Sequence, residues 1–331
     1  MFRFINHRKW RIVKICRIYL NSLHYYLAEK LTGSVPEEVE KLLEAILPEW
    51  DNKVLAVLFY GSCLRTNVFI NNVADFYLIV EDLGNNKNSF ITFLNKLLPP
   101  NVYYIETPYN ESILRAKYGI FTFNQFKKMA SMDAFHPYLW ARLVQPMRIV
   151  YLKDENIKIE IVKSIYSAIT TLMINVAPQL KNEFNLKQFW IKALKLTYKT
   201  EIRPEGKSNI LNIYNSNSDY LNEIAKNILE ILPYPIQKKE KNEICQYNIL
   251  IGNSVKCANA FSWALKIVLG KLLSAVRLLK SLLTFENALE YGYYKLSKHT
   301  PNVIIPSMFR NNLFFSCLYL FLIGIKRKIF K

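Results

Sequence analysis

The sequence is short of acidic residues, of histidine and of paired cysteines. Asp and Glu number 26 against 44 Lys and Arg, which gives a net charge of +18. The five cysteines form no Cys-x-x-Cys pair and there are four histidines, so the composition argues against a zinc site and against a secreted disulfide framework. Because 51% of the 331 residues are hydrophobic, a disordered chain is also excluded. We therefore expect a folded protein of a reducing compartment.

Long apolar runs are absent as well. No run of 18 or more apolar residues occurs, so the sequence predicts no ordinary membrane-spanning helix. The nearest candidate is Leu313–Ile325, thirteen residues followed by a cluster of four cations. As a helix it would be roughly 20 Å long, shorter than the ~30 Å hydrocarbon core of a bilayer. We expect this tail to lie in an anionic membrane surface, and a buried C-terminal helix is the alternative.

The positive charge is concentrated at the two ends of the chain. Residues 1–28 carry six cations and no acid, and residues 256–331 have a net charge of +10, which leaves +2 for the rest. The N-terminal segment is amphipathic and rich in arginine, which fits either a mitochondrial transit peptide or a retained surface helix. A nearly neutral body with two cationic ends predicts docking on an anionic surface.

The middle of the chain predicts a mixture of strands and helices. Val54–Tyr60 is a continuous apolar run, which is typical of a strand buried on both faces. Ala74–Val80 is a second strand whose one acid is Asp75, and Val102–Ile105 is a third. The following residues 156–232 have mostly helical patterns, with a β-like insert around Ile210–Tyr214.

Two further segments complete the prediction. Pro233–Glu243 is polar and rich in turn residues, so we expect a linker or an exposed loop there. Ala258–Leu283 predicts a basic amphipathic helix with an apolar stripe. The cations expected beside that stripe are Lys266, Lys271, Arg277 and Lys280.

A candidate phosphate site follows the first strand. Tyr60, Gly61 and Ser62 end that strand and open a helix, where backbone N–H groups and a hydroxyl can cradle phosphates. Arg65, one helical turn further on, adds a cation near a triphosphate or is simply solvated. Asp75 on the next strand could hold Mg²⁺ against those phosphates, as nucleotidyl transfer requires. The alternative is an ordinary structural Gly-Ser turn.

A second metal-binding acid is harder to place. Tyr77 stands where an Asp-x-Asp motif would have its second acid. Glu81 shares the strand face of Asp75, but an extended strand puts it about 20 Å away. Glu106, at the end of the third strand, is therefore the better candidate for a second ligand.

Several segments together resemble one enzyme family. The turn Tyr60-Gly61-Ser62 and the strand beginning Asp75-Phe76 are followed by Val102-Tyr103-Tyr104, by Lys117-Tyr118-Gly119-Ile120 and by Arg142-Leu143-Val144-Gln145-Pro146. In order and spacing these resemble the mitochondrial-type phosphatidate cytidylyltransferases, also called translocator assembly and maintenance proteins, of the nucleotidyltransferase superfamily. The resemblance covers about residues 50–155. Gln145 and Ala141 differ from the Lys and Gly of the family pattern, and these differences bear on substrate preference.

The resemblance implies an α+β fold in four parts. These are a basic amphipathic N-terminal segment (1–34), a nucleotidyltransferase-like catalytic domain with a mixed sheet (35–155), a mainly helical second domain for which a winged-helix-like arrangement is one option (156–255), and a basic amphipathic membrane-associating region (256–331).

The resemblance also implies an activity. CMP would pass from CTP to phosphatidate, giving CDP-diacylglycerol and pyrophosphate, with Mg²⁺ as cofactor, on the inner (cytoplasmic or mitochondrial matrix) face of a membrane and without a specific nucleic-acid partner. Asp75, Lys117 and Arg142 are the expected catalytic residues. Asp75 would hold Mg²⁺, and Lys117 and Arg142 would supply the cations that the reacting phosphates need nearby.

Two alternatives stay open from the residues themselves. One is a nucleotidyltransferase that acts on a soluble acceptor such as a small molecule, a protein or tRNA, since cationic ends also suit RNA. The other is a catalytically inactive nucleotide-binding or membrane-tethering protein, since the second strand carries a single carboxylate.

Overall fold

The structure, a computed structural model, describes residues 22–83, 89–202, 205–241 and 244–284. The apolar tail Leu313–Ile325 and nearly all of the cationic N-terminal segment lie outside these residues, so the predictions made for them stay predictions. Within the described residues the protein is a mixed α+β structure, as the sequence predicts.

A five-stranded mixed sheet forms the centre of the N-terminal half. Its strands are β1 (Val54–Tyr60), β2 (Ala74–Val80), β3 (Asn101–Tyr109), β4 (Ser112–Thr122) and β5 (Arg148–Leu152), in the order β3-β4-β2-β1-β5. The β2–β4 pair is parallel and the other pairs are antiparallel. A second sheet has the order β6-β8-β7, with β6 (Glu183–Phe184), β7 (Ile236–Lys241) and β8 (Ile244–Ile249).

Helices surround both sheets. The first described helix, α1, covers 22–31. The others are α2 (Glu37–Ile46), α3 (Ser62–Thr66), α4 (Ser89–Leu97), α5 (Phe123–Ala130), α6 (Trp140–Leu143), α7 (Glu155–Val176), α8 (Leu186–Tyr198), α9 (Lys207–Ser216), α10 (Ser218–Leu229) and α11 (Asn253–Thr284). Two 3₁₀ helices span Leu47–Lys53 and Ala177–Gln179.

The large sheet separates two apolar layers. On one face, Phe59, Phe76 and Leu78 pack against α2. On the other face, Leu58 and Tyr77 pack into the larger core built by α1 and by α5 to α8 and α10. Because β1 and β2 are buried on both faces, their sequences are apolar runs without alternation.

Several sequence-based element predictions are confirmed and others are wrong. The bounds of β1 and β2 are those predicted. Ile210–Tyr214 lies in α9, so the β-like insert is wrong, and the loop predicted over Pro233–Glu243 contains β7. Strand β4 was not predicted at all, because Arg115 and Lys117 interrupt its apolar run on one face.

Helix α7 is long and apolar enough to cross a membrane by length and composition, as part of Glu155–Gln179. More than half of its most apolar window is buried inside the protein. Its buried residues pack against α5, α6 and α8 in the larger core. Burial of this kind is the pattern of a core helix.

One face of α11 is attached to the body of the protein at seven-residue intervals. Trp263 donates its indole N–H to the Asn175 carbonyl at 2.9 Å. At Gly270 the helix runs so close to His136 and Thr200 that a methyl group would lie within 2.8 Å of both. Arg277 donates to the Pro99 carbonyl at 3.2 Å. A seven-residue spacing returns to nearly the same helix face, so these residues define the inner face of α11.

Lys280 extends this attachment. Its ammonium is buried and donates to the carbonyls of Leu98 and Pro100, the latter at 2.7 Å. The sequence places Arg277 and Lys280 beside the apolar stripe, and it gives no sign that both are attached to the body of the protein. The carbonyls that follow α4 attract both cations to the inner side.

We expect Lys280 to make stability depend on pH. Burial and the neighbouring Arg277 lower the pKa of Lys280 to about 7 from its usual value of 10.5. Between pH 7 and 9 the unfolded chain therefore binds a proton that the folded protein releases, so stability rises with pH in this range. Lys280→Met should reduce that rise by at most about 1.4 kcal/mol per pH unit, measured by urea unfolding at several pH values.

The matched control is Lys271→Met on the exposed side of the same helix. It should keep the pH dependence of the wild-type protein. Equal pH dependence in the wild-type protein and in Lys280→Met would show that Lys280 does not titrate in this range.

Candidate functional site

The Gly61 turn and Asp75 are built around each other. Gly61 has a φ of +92°, a region that residues with a side chain rarely adopt. A Cβ atom at this position would lie 2.7 Å from Oδ2 of Asp75. Tyr60 and Asp75 are cross-strand partners in the antiparallel β1–β2 pair, which brings the carboxylate to the turn. Glycine is therefore required both by the backbone and by the carboxylate.

Lys117 reaches the same carboxylate from the other side. The parallel register of β2 and β4 pairs Asp75 with Lys117, and the lysine Nζ lies 3.0 Å from Oδ1 of Asp75. Both side chains are partly accessible, with 37% of Lys117 and 22% of Asp75 exposed. The pair therefore lies where a solute can reach it.

Ser62 and Arg65 are on the short helix α3. The residue Ser62 is exposed at the first position of this helix. Arg65 donates through Nη1 to Oε1 of Gln145 at 3.5 Å, and Gln145 in turn donates to the Ala141 carbonyl at 2.6 Å and the Tyr198 hydroxyl at 3.1 Å. Arg65 is thus held toward the sheet rather than simply solvated.

Tyr60 connects the members of the site. Its ring stacks on Tyr77 with the centroids 4.3 Å apart. Burial and the charge of Asp75 raise the pKa of the Tyr60 phenol, while the charges of Lys117 and Arg142 act in the opposite sense. The structure therefore brings the three predicted catalytic residues within electrostatic range of one side chain.

Arg142 has a carboxylate partner that the sequence did not reveal. It makes a two-pronged ion pair with Glu201, with Nη1–Oε1 and Nη2–Oε2 distances of 2.7 and 3.3 Å. It also donates to the Tyr138 carbonyl at 2.8 Å and lies 4.5 Å from the centre of the Tyr138 ring. No motif could have pointed to Glu201, which is 59 residues away in the chain.

Glu106 is not brought together with Asp75. It accepts from Nε of Arg115 at 2.9 Å and from the Tyr104 hydroxyl at 2.6 Å. Strand β4 separates β3 from β2, so the backbones that carry Glu106 and Asp75 are two strands apart, about 10 Å across the sheet. Glu106 therefore completes an ion pair of the β3–β4 hairpin and does not join Asp75.

A magnesium ion at this turn would have Asp75 as its carboxylate ligand. Among the residues that the structure describes, no three His, Cys, Asp or Glu side chains are grouped to hold a metal. Mg²⁺ does not need such a group, because it is often held by one or two carboxylates together with substrate phosphates and water. Asp75 would fit that mode as a single, partly exposed carboxylate beside the turn, once Lys117 leaves Oδ1.

We expect Gly61→Ala to destabilise the protein. The positive φ and the contact with Oδ2 of Asp75 oppose a methyl group, at a cost on the order of 1–3 kcal/mol in the free energy of unfolding. Urea unfolding measures this cost. Gly206→Ala is the matched control, because its nearest side-chain atom would be 3.9 Å away. Similar losses in the two variants would contradict the strain argued for Gly61.

Comparisons with known proteins give no assignment. No family model matches the chain, and no curated protein matches it. The functional interpretation therefore rests on the geometry of Asp75, Lys117, Arg142 and the Gly61 turn.

Proposed function

We propose that the protein transfers CMP from CTP to phosphatidate and releases pyrophosphate at a membrane surface. The observation that supports this most is the Asp75–Lys117 pair beside the Gly61-Ser62 turn, with Arg142 near the same Tyr60. The five-stranded mixed sheet with this turn between two adjacent strands also supports a nucleotidyltransferase-like catalytic unit.

Cations at the site suit two anionic substrates. CTP and phosphatidate repel each other, so their phosphates can approach only where positive charge compensates them. Lys117 offers a mobile point charge, and Arg142, whose fork is engaged by Glu201, offers a positive charge that is fixed in place. Asp75 would hold Mg²⁺, which when bound supplies charge neutralisation on the nucleotide phosphates.

The reaction needs no nucleophile from the protein. A phosphate oxygen of phosphatidate forms the new bond to the α-phosphorus of CTP, and the bond between the α-phosphorus and the bridging oxygen breaks. Pyrophosphate leaves with that electron pair. The lipid phosphate is ionised near neutral pH, so a strong general base is not required. The residues of the chain position the phosphates and stabilise the charge that develops on them.

Lys117 has a second task in this proposal. Its ammonium neutralises Asp75 at a distance of 3.0 Å, and its flexible stem allows it to contact a phosphate instead. The ion pair therefore keeps the carboxylate from being an uncompensated charge at the turn.

The exposed face of α11 supports a membrane surface as the place of reaction. Its apolar side chains recur at helical spacing and are 40–67% exposed: Phe261, Leu265, Val268, Leu269, Leu272 and Val276. This set is called the α11 stripe below. Lys266 and Lys271 flank it, as expected for a helix that lies on anionic lipid. We propose peripheral attachment to the inner face of a membrane.

The same stripe argues against a soluble acceptor, because tRNA or a small metabolite has no use for an apolar helix face. The alternative of an inactive nucleotide-binding protein draws support from the lone carboxylate Asp75. Product formation separates that alternative from the proposal.

We expect Asp75→Asn to reduce transfer by about a hundredfold or more, because the neutral amide compensates neither Lys117 nor a bound cation. Purified protein with CTP, Mg²⁺ and phosphatidate in mixed micelles is assayed for a lipid-soluble cytidine product and for pyrophosphate. Glu81→Gln is the matched control, an exposed acid just beyond the far end of the same strand. If the wild-type protein forms no product, the proposed function is wrong; a fully active Asp75→Asn would remove Asp75 from the site.

We expect the α11 stripe to bind lipid. The double substitution of Val268 and Leu272 by Glu should weaken binding to phosphatidylcholine–phosphatidylglycerol vesicles about tenfold, because each change removes apolar burial and adds repulsion. Vesicle flotation measures the bound fraction. Leu250→Glu, an exposed leucine that precedes α11, is the control. Unchanged flotation of the double variant would show that the stripe does not contact the membrane.

A further inference from the structure

The inner face of α11 ends in a guanidinium group that lacks part of its hydrogen bonding. Arg277 donates through Nε to the Pro99 carbonyl, but its Nη1 is buried and has no hydrogen-bond partner in the part of the chain that the structure describes. An unsatisfied buried donor is costly, so it indicates a group that a ligand can complete.

Arg277 and Arg142 lie against the same aromatic ring. Their guanidinium carbons are 4.6 and 4.5 Å from the centre of the Tyr138 ring. Glu201 pairs with Arg142 at 2.7 Å, and no carboxylate forms an ion pair with Arg277 among the described residues. Of the two cations at this half-buried tyrosine, Arg142 therefore has a carboxylate partner, and Arg277 has none among the described residues.

Further groups show how positive this region is. Lys280, one turn after Arg277, donates to the backbone carbonyls of Leu98 and Pro100 and adds a third basic group. Burial, with Arg277 and Arg142 nearby, lowers the pKa of His136 to about 3, so this imidazole is neutral. Buried cations in excess of carboxylates are stabilised by an anion.

The cationic region adjoins the site at the Gly61 turn. The charge of Arg277 acts on Tyr77, and the charge of Arg142 acts on both Tyr77 and Tyr60. Tyr60 and Tyr77 are stacked, and the charges of Asp75 and Lys117 also act on Tyr60. An anion held between the two arginines would thus lie within electrostatic range of the proposed reaction centre.

We propose that Arg277 of α11 and Arg142 together bind a phosphate group of a substrate, so that α11 contributes a substrate-binding residue. The identity of the substrate rests on the proposed function, while the presence of an anion site does not. A phosphate or pyrophosphate suits this place, because Arg277 offers its Nη1, which lacks a partner among the described residues, and Arg142, whose fork is engaged by Glu201, adds positive charge beside it. The phosphate belongs either to the nucleotide or to the lipid.

Binding without turnover tests this. Isothermal titration of the full chain uses four probes: pyrophosphate, CTP without metal, dioctanoyl phosphatidate and, as the comparison without net charge or a terminal phosphate, dioctanoyl phosphatidylcholine. Arg277→Gln should weaken binding of at least one phosphate probe tenfold or more. A loss for pyrophosphate and CTP assigns the nucleotide phosphates, and a loss for phosphatidate alone assigns the lipid phosphate.

Two further variants complete the design. Lys271→Gln removes an exposed cation from the other side of α11 and should leave binding of the soluble probes within twofold of wild type. Arg277→Lys keeps the charge but not the fork, so it should bind between wild type and Arg277→Gln. If Arg277→Gln fails to fold by circular dichroism, Arg277→Lys decides, with a threefold or greater loss expected.

The proposal is overturned if the wild-type protein binds none of the phosphate probes, or if the folded variants of Arg277 bind all of them within twofold of wild type. If the protein binds pyrophosphate through Arg277 but makes no CDP-diacylglycerol, the anion site is supported and the proposed function is wrong. If the protein makes CDP-diacylglycerol and Arg277→Gln leaves kcat and KM unchanged, the proposed function is supported and the anion site is wrong.

Discussion

The register between three strands is the constraint on which the site depends. Tyr60, Asp75 and Lys117 are neighbours because β1 pairs with β2 and β2 with β4 at fixed positions. A slip of one residue would turn each side chain to the opposite face of the sheet. The two apolar layers prevent such a slip, since Phe76 and Tyr77 are buried on opposite sides. The packing of the apolar neighbours of Asp75 in the same strand therefore determines the position of the carboxylate.

The site combines one rigid part and one adaptable part. Gly61 and Asp75 fit each other so closely that neither can change without moving the turn. Lys117, in contrast, ends in a flexible amine that is more than a third exposed. Phosphoryl and nucleotidyl transfer need both, because a fixed carboxylate defines the position and a mobile cation can follow the charge.

Local patterns in the sequence were sufficient to predict the strands β1 and β2 and the turn between β1 and α3. The apolar runs of β1 and β2 and the glycine between strand and helix predict the turn and the carboxylate beside it. Pairing across long separations could not be predicted: Arg142 meets Glu201 after 59 residues, and Arg277 meets Pro99 after 178. Glu106 was a candidate metal ligand because it was expected at the end of the third strand, but it forms an ion pair with Arg115 in the adjacent strand. Nothing in the helical pattern of α11 distinguishes Arg277 and Lys280 from the solvated Lys271.

Gly270 is the point of closest approach between α11 and the body of the protein. It lies midway between Trp263 and Arg277, each about 10 Å away along the helix axis, and it contacts His136 and Thr200 with no room for a methyl group. Any side chain at Gly270 would push the helix away from the body and disturb the contacts of both Trp263 and Arg277. Among random mutations, changes at Gly270 would thus be eliminated by selection although the residue touches neither the sheet nor the carboxylate. Tolerance to substitution along α11 should therefore be lowest on its inner face, where the helix touches the protein.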